Sequence, residues 1–119
     1  TSKNDKVVLW GTGAPRRELH NVDALAAACV FIMNIEGVPD LLNIGTGADI
    51  AIKDLAQMVK KISGFEGEIE WDITKPDGTP RKLLDVSRLR ALGWRHKIEL
   101  EEGAKVFYDY FVEHIARRA

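Results

Sequence analysis

The run Lys75-Pro76-Asp77-Gly78-Thr79-Pro80-Arg81-Lys82 constrains the fold more than any other segment, because no helix or central strand can pass through it. Pro76 and Pro80 lack a backbone N–H and fix φ, and Gly78 permits a left-handed turn. We therefore predict a stiff loop that presents charge, called here the proline loop. Its basic side chains suit phosphate oxygens, and Asp77 can accept from a ribose or a base. A solvated basic turn without a ligand is the alternative.

Composition limits the chain to one modest globular domain. It has 119 residues, of which 45% are hydrophobic and 29% charged, with a formal net charge of -1. The near-neutral charge argues against nucleic-acid binding, and we expect neither a signal peptide nor a bilayer-spanning segment. We expect a cytoplasmic protein without nucleic-acid or membrane partners. The chain begins with Thr1, which a fragment of a longer protein, a removed methionine or a tag remnant would each explain.

Residue periodicity predicts an α/β chain with short strands and about four helices. The predicted strands comprise residues 7–10, 41–44 and 68–71, and the predicted helices comprise residues 22–33, 52–62, 87–92 and 100–116. Ala51 is a poor cap for the second helix, and we expect Asp49 to substitute for it. In the last helix we expect one apolar face to pack inward, formed by Leu100, Ala104, Phe107, Tyr108, Phe111 and Ile115. Trp94 is expected to pack inward as well.

The helix over residues 22–33 is apolar at every position except Asp23. Such a helix requires cover on nearly all sides, which a chain of 119 residues has difficulty supplying. We infer that one of its faces meets a neighbouring domain or a second copy in a homo-oligomer. Cys29 lies within this run, and we expect it to be a small buried hydrophobic residue.

Two Gly-Thr-Gly turns, at residues 11–13 and 45–47, each follow a predicted strand. The dinucleotide fingerprint requires a third glycine, but Arg16 and Ile50 occupy the corresponding positions. No Gly-Lys-Ser or Gly-Lys-Thr of a Walker loop occurs either. We do not expect these turns alone to bind a cofactor.

Individual side chains give weaker signals. Arg17 could bind a diphosphate through two parallel hydrogen bonds, or form a surface ion pair with Glu18. Trp10, at a strand end, could pack on a sugar or base, or belong to the core. No catalytic set can be assembled, and the three histidines lack metal-ligand spacing: His20, His96 and His114.

The order of these motifs closely resembles the C-terminal part of the GDP-L-fucose synthases, a family within the extended short-chain dehydrogenases/reductases. The resemblance covers nearly the whole chain, and the proline loop is its most specific part. The Asn-Ile-Gly-Thr-Gly turn at residues 43–47 is shared widely among nucleotide-sugar epimerases and dehydratases. Where the family usually has Arg-Glu-Phe and then His-Val-Asp-Asp, this chain has Leu19 and, at residues 20–24, His-Asn-Val-Asp-Ala.

This resemblance implies a function for the full-length family that residues 1–119 cannot perform alone. The full enzymes use NADPH to reduce a C4 ketone of a GDP-sugar after epimerising C3 and C5. Their NADP-binding glycines and Ser-Tyr-Lys catalytic set lie in an N-terminal Rossmann part that this sequence lacks. The chain is thus expected to be a C-terminal substrate-binding region, non-catalytic and without NADP by itself, whose partners are a GDP-sugar and the missing Rossmann domain.

By the same resemblance, four residues correspond to the family's GDP-sugar contacts: Trp10, Arg17, Asp77 and Lys82. The two cations suit the diphosphate, and Arg81 is placed outside direct contact. Two other interpretations stay open. One is a non-catalytic interaction module that docks through residues 22–33, and the other is part of a different nucleotide-sugar epimerase or dehydratase, which a comparison of GDP with UDP would separate.

Overall fold

A computed structural model describes residues 6–116 of the chain. These residues form an α/β arrangement with short strands and four helices, as predicted. The elements in chain order are β1 (Lys6–Trp10), β2 (Arg16–Arg17), α1 (Val22–Met33), β3 (Ile50–Ala51), α2 (Ile52–Ser63), β4 (Glu68–Asp72), β5 (Arg81–Lys82), α3 (Ser87–Ala91) and α4 (Leu100–His114).

The strands form two small sheets. In the first, β1 pairs with β4 in parallel. In the second, β2 is central, antiparallel to β3 and parallel to β5. Pro15 and Pro80 directly precede β2 and β5, and because proline cannot donate to a ladder, pairing begins after them. Their carbonyls are used instead, accepting from the amides of Ile52 at 2.9 Å and Arg16 at 2.8 Å.

The described residues bury little apolar surface. The buried apolar side chains are few: Ala24, Ala28, Ala51, Val86 and Leu89. The radius of gyration is 17.2 Å, whereas a compact domain of this length would have about 13.5 Å. The chain therefore exposes apolar surface that a compact domain would cover.

Within residues 6–116, no helix is long and apolar enough to cross a membrane.

Most predicted elements are present. The strands predicted at residues 7–10 and 68–71 are β1 and β4. The helix predicted at residues 22–33 is α1, and those predicted from residues 52, 87 and 100 begin at these positions as α2, α3 and α4.

The strand predicted at residues 41–44 is wrong. This segment has no strand pairing within the described chain. Instead, the carbonyl of Leu41 accepts from Arg88 at 3.2 Å, and the side chain of Asn43 donates to the carbonyl of Asp85 at 3.3 Å. Apolar composition favours a strand, but a strand forms only where a second one offers its backbone groups.

Helix α1 is capped by Asn21, whose side chain accepts from the amides of Asp23 and Ala24. Most of its apolar surface is exposed: Val22 is 69% exposed and Met33 is 82% exposed. The prediction that this small chain could not cover the helix is thus correct. The burial predicted for Cys29 is wrong, because its side chain lies on an uncovered face and is exposed.

The start of α2 corrects a second prediction. Ala51 is indeed its N-cap and makes no side-chain capping bond. However, Asp49 does not substitute for it, because both of its carboxylate oxygens bind arginines of β2 and β5. Gly64 ends the helix in the left-handed conformation with φ of 71°.

Helix α4 packs on α2 along only part of its predicted inner face. Ala104 and Tyr108 are half-buried there, and the Tyr108 hydroxyl donates to the carbonyl of Ser63 at 3.4 Å. The inward packing predicted for Phe107, Phe111 and Ile115 is wrong, because all three are exposed and Phe107 is 64% exposed. No other described element lies over that part of the helix. Trp94 does pack as predicted, with its ring 5.4 Å from that of Phe31.

Candidate functional site

The proline loop lies along residues 10–18 and joins them by a row of contacts. The ammonium group of Lys75 sits over the ring of Trp10 at 5.1 Å from its centroid. Further along, the Arg16 amide donates to the Pro80 carbonyl at 2.8 Å, and the Glu18 amide donates to the Lys82 carbonyl at 3.2 Å. We call these two segments, residues 10–18 and 75–82, the paired strip. All four residues predicted to contact a GDP-sugar lie on it.

Trp10 lies at one end of the paired strip, at the last position of β1. Its side chain is not part of a core, since the residue is 73% exposed. The Lys75 ammonium group lies within the range of a cation–π contact with this ring. An exposed aromatic face with a cation above it offers a flat surface beside positive charge.

Asp77 fastens the loop to the first Gly-Thr-Gly turn. Its Oδ1 accepts from the Thr12 amide at 2.8 Å, and its Oδ2 accepts from the Thr12 hydroxyl at 2.7 Å. These two bonds lower the pKa of Asp77, because they favour the ionised carboxylate. Gly11 adopts φ of 89°, and a Cβ there would clash with the Asp77 carboxylate. Glycine is therefore required for this close approach.

Arg17 spans the two segments at the other end of the strip. Its Nη1 donates to two carbonyls: that of the preceding residue, Arg16, at 2.7 Å, and that of Thr79, on the other segment of the strip, at 2.6 Å. Gly78 also lies against the guanidinium, since a Cβ at this glycine would be 3.1 Å from Nη2. Within residues 6–116, the N–H groups on Nε and Nη2 make no hydrogen bond. A fixed guanidinium with unused donors can bind an anion in a defined orientation.

The pairing of β2 with β5 distributes the four basic side chains of these strands over the two faces of the second sheet. Arg17 is paired with Lys82, and Arg16 is paired with Arg81. Because side chains alternate along a strand, Arg17 and Lys82 occupy one face, here called the front, and Arg16 and Arg81 occupy the back. The two faces thus have equal positive charge but different surroundings.

A carboxylate pairs with the cations of the back face only. Asp49 Oδ1 accepts from Arg16 Nε at 2.9 Å, and Oδ2 accepts from Arg81 Nε at 2.5 Å. Hydrogen bonds from these arginines lower the pKa of Asp49, that from Arg16 most. On the front face, neither Arg17 nor Lys82 forms an ion pair with any carboxylate of the described chain. The ion pair with Glu18 that was considered for Arg17 is therefore not formed there.

Both Gly-Thr-Gly turns are held by carboxylates of the chain itself. Asp77 binds the Thr12 amide of the first turn, and Glu18 Oε2 accepts from the Gly47 amide of the second at 2.7 Å. A phosphate at these turns would compete with those carboxylates for the same donors. The geometry explains the turns as structural corners that bring residues 10–18 to the proline loop and to β3.

A cavity of about 580 Å³ lies beside β2 and β3, with Arg17 and Asp49 on its wall and mainly apolar residues elsewhere. His20 and His96 also line it. Burial lowers the pKa of His20, the nearby His96 adds to this effect, and Glu18 opposes it. Among residues 6–116, no group of three or more potential ligands could hold a metal ion.

Sequence reasoning missed three participants in this site. Thr12 was assigned only to a turn, Lys75 only to the general charge of the loop, and Asp49 to a helix cap. Thr12 and Lys75 have no sequence signal beyond their motif, since their contacts span more than sixty residues. Asp49 could have been found only from the pairing of β2 with β5.

The pKa of Asp77 gives a testable pH dependence. Its folded pKa lies below the ordinary value of 3.8. The stability that its bonds to Thr12 contribute is therefore fully present above this value and is lost as pH falls through the lower, folded pKa. The Thr12 amide resonance should titrate below pH 3.8, and this titration should vanish in Asp77→Asn. It should persist in the control Asp85→Asn, and a Thr12 titration centred at or above 3.8 would contradict the assignment.

The fold matches one part of extended short-chain dehydrogenases/reductases that act on nucleotide sugars, as comparison with solved structures shows. A GDP-mannoheptose C4 reductase from Campylobacter jejuni, solved with NADP bound, matches 91% of this chain with a TM-score of 0.80 and 40% identity. A UDP-glucose 4-epimerase from Thermotoga maritima, solved with UDP-glucose, matches 91% with a TM-score of 0.79 and 30% identity. This chain covers 35% of each of those chains. The predicted fold class is confirmed.

In sequence, the chain matches the C-terminal part of GDP-L-fucose synthases. It is 47% identical over 114 residues to GDP-L-fucose synthase 1 of Arabidopsis thaliana, a match that includes 96% of this chain. The chain spans about 35% of the length of this curated relative. No family model matches the chain. The resemblance inferred from the motifs is confirmed.

Proposed function

We propose that this chain binds the nucleotide-diphosphate end of a GDP-sugar on the front face of its paired strip. The observation that supports this most strongly is the contrast between the two faces of the small sheet. Arg16 and Arg81 share the carboxylate of Asp49, whereas Arg17 and Lys82 have no carboxylate partner among the described residues. Two cations without a carboxylate partner, beside a pair that shares one, suit a ligand with two adjacent phosphates.

Trp10 would contact the other end of such a ligand. Its ring is 73% exposed and lies on the same strip as the cations. Stacking of a base on an exposed aromatic ring is worth about 1–3 kcal/mol. A guanine or sugar that packs on this ring must displace Lys75, whose ammonium group would then be free to approach a phosphate.

Asp77 has capacity left for a ligand. Each carboxylate oxygen accepts one bond from Thr12, and an ionised carboxylate offers about four acceptor sites in total. In this proposal the remaining sites accept from ribose hydroxyls or the base. Asp77 then has two tasks, since it also holds the loop in the position that presents Lys82.

The activity that we propose for the longer protein is that of its relatives, NADPH-dependent epimerisation and reduction of a GDP-4-keto-6-deoxy-mannose. The described residues do not fit NADP, because the amide donors of Thr12 and Gly47 already bind carboxylates. The chain's contribution would be positioning. Binding energy from the nucleotide, remote from the reacting sugar, orients the ketone without the chain itself performing the reaction.

One observation favours a second candidate, a docking module. Helix α1 exposes large apolar side chains, including Val22, Val30 and Met33. Such a face fits a protein surface, whether a Rossmann domain or a second copy of the chain. This candidate requires no nucleotide, so ligand binding separates it from the first.

Calorimetric titration of the chain with GDP, UDP and guanosine tests the proposal. We expect weak binding of GDP, no measurable binding of guanosine because it lacks the diphosphate, and no NADPH oxidation. Stronger binding of UDP than of GDP would favour a different nucleotide-sugar epimerase. Absence of heat with millimolar GDP, with the fold verified by circular dichroism, would count against a preformed site and leave the docking module.

A further inference from the structure

We propose that Asp49 is the positioning residue of the paired strip: it locks β5 against β2 from the back and thereby fixes Arg17 and Lys82 side by side on the front. This inference rests on the proposed function for its consequence in GDP binding. Asp49 itself touches no front-face cation, and it acts through the two arginines behind them.

The geometry joins all three strands of the sheet through one carboxylate. Asp49 directly precedes β3 and uses separate oxygens for Arg16 on β2 and Arg81 on β5, at 2.9 and 2.5 Å. Arg16 Nη2 also donates to the Asp49 backbone carbonyl at 3.4 Å. The Asp49 side chain is only 6% exposed, whereas those of Arg16 and Arg81 are 46% and 61% exposed, so the carboxylate lies beneath the two arginines.

The backbone alone holds this sheet weakly. Each of its strands has two residues, and such short ladders are marginal without added contacts. Arg16 and Arg81 are also directly opposite each other, and like charges at paired positions destabilise a sheet. The Asp49 carboxylate binds both arginines, which offsets this repulsion and favours one register. We call this pair of contacts the clamp.

Register decides whether the front-face pair exists. A shift of one residue between β2 and β5 would move Lys82 to the other face and place it away from Arg17. Asp49 has no competing task among the described residues, since it does not cap α2. Its position is therefore explained by the clamp.

The variant Asp49→Asn separates two possible roles of Asp49, a contribution to the net electrostatic field and the positioning of side chains. The two roles predict opposite changes in GDP affinity. Removing a negative charge near a phosphate site should strengthen GDP binding if only the net field matters. If Asp49 acts by positioning, GDP binding should weaken on the order of tenfold, because two binding side chains lose their fixed arrangement. The control Glu101→Gln removes the same charge from a surface pair with Lys61, and its GDP affinity should not change.

Hydrogen exchange measures the clamp without any ligand. In Asp49→Asn, the amides of Arg16 and Glu18, which donate to the carbonyls of the β5 segment, should exchange faster. Amides in the middle of α2 should exchange as before. Unchanged exchange rates of the Arg16 and Glu18 amides would overturn the inference, whether or not GDP binds more tightly to the variant.

The two proposals fail differently. If the unsubstituted chain binds no GDP but the exchange of Arg16 and Glu18 rises as expected in the variant, the clamp stands and the proposed function fails. If Asp49→Asn does not fold, Arg81→Gln removes one arm of the clamp and leaves Asp49 with Arg16. Faster exchange at the Glu18 amide is again expected, and exchange equal to that of the unsubstituted chain would refute the clamp.

Discussion

Replacing Arg17 by methionine should weaken GDP binding by about 30-fold, equivalent to roughly 2 kcal/mol, the usual range for a hydrogen bond to a charged group. The guanidinium has unused donors on Nε and Nη2, while Nη1 is held by the carbonyls of Arg16 and Thr79. The substitution removes both the anion contact and a link across the paired strip. Calorimetry with GDP measures the loss directly.

Two further variants separate charge from geometry. Arg95→Met removes the same charge from an exposed residue outside the strip and should leave GDP affinity nearly unchanged. Arg17→Lys retains the charge but not the planar fork, so its affinity should lie between those of the unsubstituted chain and Arg17→Met. Equal losses in Arg17→Met and Arg95→Met would mean that net charge, not Arg17 itself, governs binding.

Replacing Leu89 by alanine should lower the free energy of unfolding by about 2–5 kcal/mol. Leu89 is only 1% exposed and is the largest of the fully buried side chains. Because so few apolar residues of the described chain are buried, there is little packing to compensate for the cavity. Urea denaturation followed by tryptophan fluorescence measures this change.

The control for this variant is Leu84→Ala, which deletes the same atoms from a side chain that is 43% exposed. It should cost less, since a large part of that surface already faces water. A similar loss for both leucines would contradict the view that burial of Leu89 stabilises the described chain.

The helices could be predicted because their signals are local. The apolar spacing of residues 52–62 and the glycine after them specify α2 almost to the residue, and the boundaries of α1 are as predicted. The strand predicted at residues 41–44 failed because its composition is local but its pairing is not. The burial predicted for Cys29 and Phe107 is wrong for the same reason. Both lie at helix positions whose periodicity favours burial, but their side chains remain exposed.

The order of motifs selected Trp10, Arg17, Asp77 and Lys82, and the structure brings the two segments that contain them together. Their role in GDP-sugar binding stays a prediction. The motifs could not reveal that each carboxylate oxygen of Asp77 accepts one hydrogen bond from Thr12. Nor could they reveal the role of Asp49, because that follows from a register in which two residues of β2 meet two of β5.

The central claim, that GDP binds to the front face of the paired strip, is tested most directly by ¹H–¹⁵N NMR during GDP titration. The chain has three tryptophans. Trp10 lies on the strip, the ring of Trp71 packs against Gly13 of the strip, and Trp94 lies outside it. We expect the indole N–H resonance of Trp10 and the Nε–H resonance of Arg17 to shift together, saturating with one affinity, while the Trp94 indole stays in place. Shifts confined to Trp94, or none at millimolar GDP, would contradict the claim.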